Sequence, residues 1–242
     1  ARIVVMGPNA ADTVMQWGNY NGFPSHTVSV LEGIRAKAGD NVRYVAGCGL
    51  IDNRIPDAPA GHAELLRSGK GAYGTMTPDE AVAAAGDAEY VVFVGGISPA
   101  IEGEEMKKVS FPGFRGGDRT DIELPAVQRE LIAALHRAGK RIVYVNCSGS
   151  AVALEPEAQH CDAILQAWYP GQAGGTAVAD VLFGDYNPAG RLPVTFYKNQ
   201  AQLPDFEDYR MQGRTYRYFR GEPLFPFGHG LSYTTFDYGK AK

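Results

Sequence analysis

The stretch Tyr90–Val94, YVVFV, which is followed by Gly95 and Gly96, decides the fold. It is a short apolar run rich in β-branched valines and bounded by glycines, which is typical of a strand buried on both faces of a sheet. Similar runs lie on either side of it in the chain: Arg2–Met6 (RIVVM), Val42–Ala46 (VRYVA), Arg141–Val145 (RIVYV) and Ala163–Ala167 (AILQA). We therefore predict five buried strands.

Helical segments separate these strands. Pro78–Ala85 follows Thr77 and has Glu80 in its first turn, which is the form of a capping box with proline at the first helical position. Three more segments with apolar stripes end at a glycine: Thr27–Ala38, Leu124–Ala138 and Gly175–Phe183. Alternating strands and helices predict right-handed crossovers, and hence a three-layer α/β/α sandwich with a mostly parallel central sheet, in one domain spanning residues 1–242.

Three stretches do not fit this alternation. Gly47–Thr77 is rich in glycine, proline and alanine and is interpreted as an excursion from the sheet. Ser98–Asp121 lies between a strand and a helix, and loops of this length in compact domains are usually functional or disordered. The tail Leu203–Lys242 carries many aromatic residues among prolines and glycines, and we expect it to wrap over the domain without forming a second core.

Composition excludes several classes of protein. The 242 residues have a net charge of −4 with scattered Lys and Arg, and no apolar run reaches the roughly 18 residues of a membrane span, so neither nucleic acid nor a membrane is an expected partner. The chain opens directly into a strand without an initiator Met or signal peptide, which suggests a mature segment or an excised domain. Cys48, Cys147 and Cys161 show no CxxC spacing, so free thiols are favoured over a single bridge and a zinc site is excluded.

The motifs of common α/β enzymes are missing from the sequence. No GxGxxG follows the first strand and no GxxxxGK[ST] exists, which argues against dinucleotide and P-loop sites. The GxSxG elbow is absent, and Ser148 and Ser150 are interpreted as helix caps. The five histidines show no metal-ligand spacing. We therefore expect neither a cofactor nor a metal.

One carboxylate cluster remains as a candidate for chemistry. Glu102, Glu104 and Glu105 lie on the long loop just past Gly95 and Gly96. A carboxyl group at the carboxyl end of a parallel strand is well placed to reach a ligand, and partial desolvation would raise its pKa toward the range of a general acid. A solvated acidic loop explains the same residues, and local chemistry does not choose between the two interpretations.

Six stretches carry a resemblance to a known family. They are Gly7–Ala10 (GPNA), Gly18–Tyr20 (GNY), Gly117–Arg119 (GDR), Trp168–Gly175 (WYPGQAGG), Ala179–Pro193 (ADVLFGDYNPAGRLP) and Phe225–Tyr233 (FPFGHGLSY). In this order they span nearly the whole chain. On these residues the chain resembles the C-terminal α/β-sandwich domain of glycoside hydrolase family 3, and it is most similar to the β-xylosidase branch, with β-glucosidases next.

The resemblance implies a retaining enzyme that removes terminal, non-reducing β-linked sugars from an oligosaccharide or aryl glycoside. Its nucleophile is an Asp on a preceding (β/α)8 barrel, and its acid/base is a Glu on a loop of the sandwich domain. The family's Glu is often followed by Gly and lies some way before an Asp-Arg pair, which matches Glu102 first, then Glu104 and Glu105. Met106–Gly116 resembles an insertion before Asp118 and Arg119, which leaves the register of the loop open. The barrel is absent from this chain, which is therefore expected to be inactive alone, and the family implies a periplasmic or secreted protein.

The resemblance leaves further residues with two interpretations. Asp118 and Arg119 are expected to hold the loop in place, with substrate contact as the alternative. Trp168 and Tyr169 are candidates for stacking on a sugar or for packing at a domain interface. Asn9, Asn19 and Tyr20 would face the barrel and have no assigned role. The rival hypothesis for the whole chain is a free-standing carbohydrate-binding or interaction module of the same fold, without a catalytic role.

Overall fold

A five-stranded parallel sheet forms the centre of the protein in a computed structural model that describes residues 1–51, 76–107 and 110–240. Its spatial order is β2-β1-β3-β7-β8, and every pairing is parallel. These strands are β1 (Ile3–Met6), β2 (Val42–Val45), β3 (Tyr90–Gly96), β7 (Ile142–Cys147) and β8 (Ala163–Gln166). All five lie within two residues of the predicted bounds. The predicted excursion Gly47–Thr77 falls mostly outside the described residues.

The depth of burial differs between the centre and the edges of the sheet. The central strands β1, β3 and β7 are buried on both faces, as predicted. The edge strands β2 and β8 are only partly buried, so the prediction of two buried faces is wrong for them. Their apolar residues contact the clusters on both faces of the sheet, but each strand lies at the border of the sheet and is therefore only partly covered.

The described ranges contain six α-helices. They are α1 (Val30–Ala38), α2 (Pro78–Ala85), α3 (Ala126–Arg137), α4 (Glu155–His160), α5 (Gly174–Phe183) and the short α6 (Thr215–Tyr218). Both α1 and α2 begin with a capping box, on Ser29 and Thr77 respectively. None of these helices has the length and apolar character needed to cross a bilayer.

The helices form two layers, one on each face of the sheet. On one face, Val4 and Met6 of β1 pack in a cluster with residues of α2 and α3 and with Leu154, which directly precedes α4. On the other face, Val5 packs in a cluster with residues of α1 and α5. Successive strand residues therefore point into different cores, as the pleat of a strand requires. The predicted α/β/α sandwich is confirmed.

The long loop Ser98–Asp121 contains a small antiparallel sheet that was not predicted. Its strands are β4 (Ser110–Phe111), β5 (Phe114–Arg115) and β6 (Asp118–Arg119). Phe111 and Phe114 pack with Ile97 and Ile101 in a third apolar cluster. The first two strands of this meander lie within Met106–Gly116, the segment interpreted as an insertion, and the meander anchors the loop that carries the three glutamates.

The tail and the cysteines follow their predictions. In the tail, Tyr209, Tyr233 and Tyr238 are exposed, and the segment lies over the sandwich without a core cluster of its own among the described residues. The cysteines Cys48, Cys147 and Cys161 are free thiols. Burial raises the pKa of each thiol to about 12, so all three are protonated at neutral pH.

Candidate active site

The site lies where the central strands of the sheet end. Glu102 follows β3, Gly149 follows β7, and Tyr169 follows β8. Because the carboxyl ends of parallel strands meet at one edge, these residues come together although they are distant in the sequence. Arg119, at the end of β6, reaches the same place from the meander.

The carboxyl group of Glu102 is the centre of this arrangement. Its Oε2 atom is buried and has no hydrogen-bond partner among the described residues. Desolvation raises the pKa of Glu102 above its ordinary value, and the nearby positive charge of Arg119 partly opposes the rise. A half-buried carboxyl with a free oxygen keeps its proton to a higher pH than an exposed carboxyl does and can donate it to a ligand.

Gly149 provides the space for this carboxyl. A Cβ atom on Gly149 would lie 2.9 Å from Cε2 of Tyr169 and 3.1 Å from Oε1 of Glu102. The preceding Ser148 is buried, and its Oγ accepts hydrogen bonds from Gln166 Nε2 at 3.0 Å and from Asn146 Nδ2 at 3.3 Å. The interpretation of Ser148 as a helix cap is therefore wrong, since a buried polar network between β7 and β8 uses its hydroxyl.

Arg119 holds the loop in place, as predicted. Its Nη1 donates to the carbonyl of Ala151 at 3.2 Å and to Oγ of Ser150 at 3.4 Å, and its Nη2 donates to the carbonyl of Glu123 at 3.1 Å. Ser150 thus accepts from Arg119 and does not cap a helix. The Nε atom of Arg119 is buried without a partner in the part of the chain that the structure describes.

The structure brings one of the two candidate aromatic residues to the carboxyl. The Tyr169 ring lies beside Gly149, and its buried hydroxyl has no partner within the described ranges. Desolvation and the charge of Glu102 raise the pKa of Tyr169 well above its usual value. Trp168 has a positive φ of 57° and packs edge-on against Phe196, with ring centroids 6.1 Å apart. Trp168 therefore also has a packing role.

The other two candidate carboxylates have different surroundings. Glu104 is exposed and accepts a hydrogen bond from the hydroxyl of Tyr20. Glu105 is exposed, has a φ of 52°, and its backbone carbonyl accepts from the Lys107 amide at 2.9 Å. Glu102 is thus the one of the three glutamates with a desolvated carboxyl. In the described residues, no group of three or more His, Cys, Asp and Glu side chains could hold a metal ion.

Sequence reasoning missed three residues of the site. Gly149 was given no role, because a single sequence offers no sign that two side chains converge on it. Asn19 and Tyr20 were noted in a matched motif and given no role, although Asn19 Nδ2 donates to the backbone carbonyl of Glu102 at 2.9 Å.

Comparison with known families identifies the domain. The model of the glycosyl hydrolase family 3 C-terminal domain matches residues 1–233. The chain belongs to glycoside hydrolase family 3. The family 3 domain was identified correctly from its sequence motifs, and its buried glutamate lies in the segment on which the resemblance placed the acid/base residue.

Two curated relatives illustrate the likeness of this family 3 domain to known enzymes. A xylan 1,4-β-xylosidase of Xylanibacter ruminicola is 40% identical in an alignment that covers 100% of this chain and 42% of the relative. A periplasmic β-glucosidase of Salmonella typhimurium is 38% identical, with 97% of this chain and 31% of the relative covered. The chain therefore spans less than half the length of either relative.

Solved structures give the same result for the fold of the family 3 domain. An exo-β-xylosidase in complex with a xylobiose aziridine activity-based probe matches with a TM-score of 0.74 and 31% identity, covering 96% of this chain and 28% of that one. A β-glucosidase from Erythrobacter marinus matches with a TM-score of 0.69 and 37% identity, covering 98% and 32%. Both are longer enzymes that contain a domain of this architecture.

Proposed function

We propose that this chain is the second domain of a retaining, exo-acting β-glycosidase in which Glu102 is the general acid/base. The nucleophile would lie on a (β/α)8 barrel domain of the same, longer protein. The observation that carries the proposal is the buried Oε2 atom of Glu102, which has no hydrogen-bond partner among the described residues. A carboxyl group in this state is desolvated by the protein and free to bond to a substrate oxygen.

The surroundings of Glu102 suit both halves of a retaining reaction. In the first half, the protonated carboxyl gives its proton to the leaving oxygen while the nucleophile, about 5–5.5 Å away, attacks the anomeric carbon. In the second half, the carboxylate takes a proton from the water that hydrolyses the glycosyl-enzyme. Desolvation favours the protonated form, and the positive charge of Arg119 stabilises the anion between the two halves.

We infer a β-xyloside as the preferred substrate, with a β-glucoside as the alternative. The support is the xylan 1,4-β-xylosidase, at 40% identity over the whole chain, together with the exo-β-xylosidase structure. The β-glucosidases at 38% and 37% identity support a β-glucoside as the alternative substrate. Comparing kcat/KM for the two classes of substrate would decide between them. A periplasmic relative supports an exported protein.

The deciding experiment replaces Glu102 in the full-length protein. Glu102→Gln should lower kcat/KM for phenyl β-xyloside, a poor leaving group, by about 10²–10⁴-fold, because its departure needs a proton. Dinitrophenolate departs without protonation, so the first step with dinitrophenyl β-xyloside should change little. Azide, which needs no general base, should restore turnover of the activated substrate and yield a β-glycosyl azide.

Glu105→Gln is the matched control on the same loop, and Glu104→Gln tests the second candidate for the acid/base. The assignment would be contradicted if Glu102→Gln turned over phenyl β-xyloside normally while one of these two variants lost activity on phenyl β-xyloside but not on dinitrophenyl β-xyloside. Full activity of all three variants would favour the rival hypothesis of a binding or interaction module.

The isolated chain gives a second test. Residues 1–242 alone should not turn over either substrate, because the step that forms the covalent intermediate needs the missing nucleophile. Turnover that survives purification, and is abolished by Glu102→Gln, would overturn the proposal that this chain supplies half of a catalytic pair.

A further inference from the structure

We propose that Asn19 and Tyr20 form a latch that positions the acid/base loop and directs the Glu102 carboxyl toward the substrate. The inference rests on the proposed function of Glu102. Neither residue is placed at the reacting atoms; both are positioning residues that act through the loop. Throughout, the latch means these two residues and their hydrogen bonds to Glu102 and Glu104.

The latch consists of two hydrogen bonds between two segments that are far apart in the sequence. Asn19 Nδ2 donates to the backbone carbonyl of Glu102 at 2.9 Å. The hydroxyl of Tyr20 donates to the carboxylate of Glu104, two residues further along the loop. A Cβ on the intervening Gly103 would lie 3.2 Å from the same Asn19 nitrogen, so the latch segment and the loop are in close contact.

The backbone conformation of Tyr20 supports a functional role for this contact. Its φ is 53°, in the left-handed region that is unfavourable for a residue with a side chain. Its side chain is 86% exposed, so burial in a core does not compensate for that cost. The strained backbone directs the tyrosine hydroxyl to Glu104, and such strain is concentrated at functional sites.

Backbone bonds to the meander fix the opposite side of the same loop. The amide of Gly103 donates to the carbonyl of Gly117 at 3.0 Å, and the amide of Met106 donates to the carbonyl of Gly116 at 2.9 Å. The loop is therefore held between the meander and the latch. Glu102 lies where the two meet, and its carboxyl reaches Gly149.

The latch also separates the roles of neighbouring glutamates. Glu104 already has the Tyr20 hydroxyl as a partner, whereas Oε2 of Glu102 has none among the described residues. Without the latch, Glu104 would be free to turn toward the site, and the backbone of Glu102 would lose its tie to the segment after β1. The expected consequence is poor proton donation without loss of the fold.

The test uses two conservative variants of the full-length protein. Asn19→Asp keeps the shape of the side chain and removes the donor, and Tyr20→Phe removes only the hydroxyl. Each should lower kcat/KM for phenyl β-xyloside by about 10–100-fold, the effect of a small misplacement of a catalytic group. Turnover of dinitrophenyl β-xyloside should stay within about twofold, since its leaving group needs no proton.

Combining the Asn19 and Glu102 variants distinguishes a positioning role from a merely structural one, because only a positioning role makes the two effects non-additive. When Glu102 is already Gln, adding Asn19→Asp should lower the phenyl β-xyloside rate no further, because both changes remove the same proton donation. Asn41→Asp and Tyr238→Phe are matched controls: Asn41 donates to a carbonyl at the end of α1, and Tyr238 is exposed in the tail. Both should leave the rates unchanged.

Hydrogen exchange on the chain of residues 1–242 tests the latch without any catalysis. The amides of Gly103 and Met106 should exchange faster in Asn19→Asp and Tyr20→Phe than in the parent chain. Unchanged exchange, or an equal loss of rate for both substrates, would overturn the proposal. Failure of the proposed function would show as full activity of Glu102→Gln, whereas failure of the latch would leave Glu102→Gln impaired and the two latch variants active.

Discussion

Glu157 and Glu102 each lie beside an arginine, and the two pairs are built differently. Glu157, at the start of α4, has a side chain with no exposed surface. Its Oε1 accepts from Arg129 Nε at 2.9 Å, and its Oε2 accepts from Arg129 Nη2 at 3.3 Å. Glu102 is also buried in large part and feels the charge of Arg119, but Arg119 donates its hydrogen bonds to backbone carbonyls and to a serine.

The difference shows what separates a structural carboxylate from one that is available for chemistry. Both groups are desolvated, so burial does not tell them apart. In the Glu157 pair, both carboxyl oxygens have partners from the same guanidinium, and the charge is compensated within the fold. In the Glu102 pair, one oxygen has no partner in the described part of the chain, and the carboxyl can still exchange a proton.

Breaking the Arg129–Glu157 pair should have the largest effect on stability. Arg129→Met leaves Glu157 buried without its counter-charge, which should lower the free energy of unfolding by about 3–5 kcal/mol. Urea denaturation of the isolated chain measures this loss. Arg137→Met, at the exposed end of α3, is the control and should change stability by less than about 0.5 kcal/mol. Equal stability of the two variants would refute the structural role given to the Arg129–Glu157 pair.

Filling the space beside the Glu102 carboxyl should have an intermediate effect on stability. The new methyl group in Gly149→Ala would meet the Tyr169 ring and the Glu102 carboxyl, and overpacking of this kind costs about 1–3 kcal/mol. Gly239→Ala is the control, because a Cβ there has no neighbour within 4 Å among the described residues. Thermal unfolding measures both variants. A Gly149→Ala protein as stable as the control would show that the site is looser than described.

Neutralising the Glu102 carboxyl should have the smallest effect on stability, and it should stabilise the folded state. Because folding raises the pKa of Glu102, the folded state loses stability relative to the unfolded chain as the pH rises from the ordinary carboxyl pKa through the raised one. Glu102→Gln cannot ionise, so its Tm should exceed that of the parent chain at pH 8, and the difference should vanish as the pH falls toward 4. Glu105→Gln should show no such trend. A parent chain more stable than Glu102→Gln at pH 8 would mean that the carboxylate is compensated after all.

The regular part of the fold could be predicted from sequence because several local signals agreed. The strand at Tyr90 combines β-branched residues with terminal glycines, and the capping box at Thr77 identified the helix Pro78–Ala85 to the residue. The meander β4–β6 was missed because strands of two residues are too short to show a period. The helix α4 was missed for a similar reason, since it has six residues with a proline in the first turn.

The candidate site could be located from sequence but not resolved. The glutamate cluster after β3, together with the family motifs, indicated the right loop. The surroundings of Glu102 and Glu104 depend on Asn19 and Tyr20, which lie 83 and 84 residues away, so no local pattern could distinguish the two carboxylates. The catalytic role of Glu102 and the sugar contacts of Trp168 and Tyr169 stay predictions.

The strand order has a consequence for how the chain folds as it is synthesised. Ile3 of β1 pairs with Val42 on one side and with Tyr90 on the other, so the first strand made waits for two long crossovers before both its edges are covered. Contacts this distant in sequence slow folding and prolong the exposure of unpaired strand edges. The bond between Asn19 and Glu102 forms only after β3 has joined β1. A ribosome pause before residue 96 would therefore prolong the aggregation-prone stage of this chain.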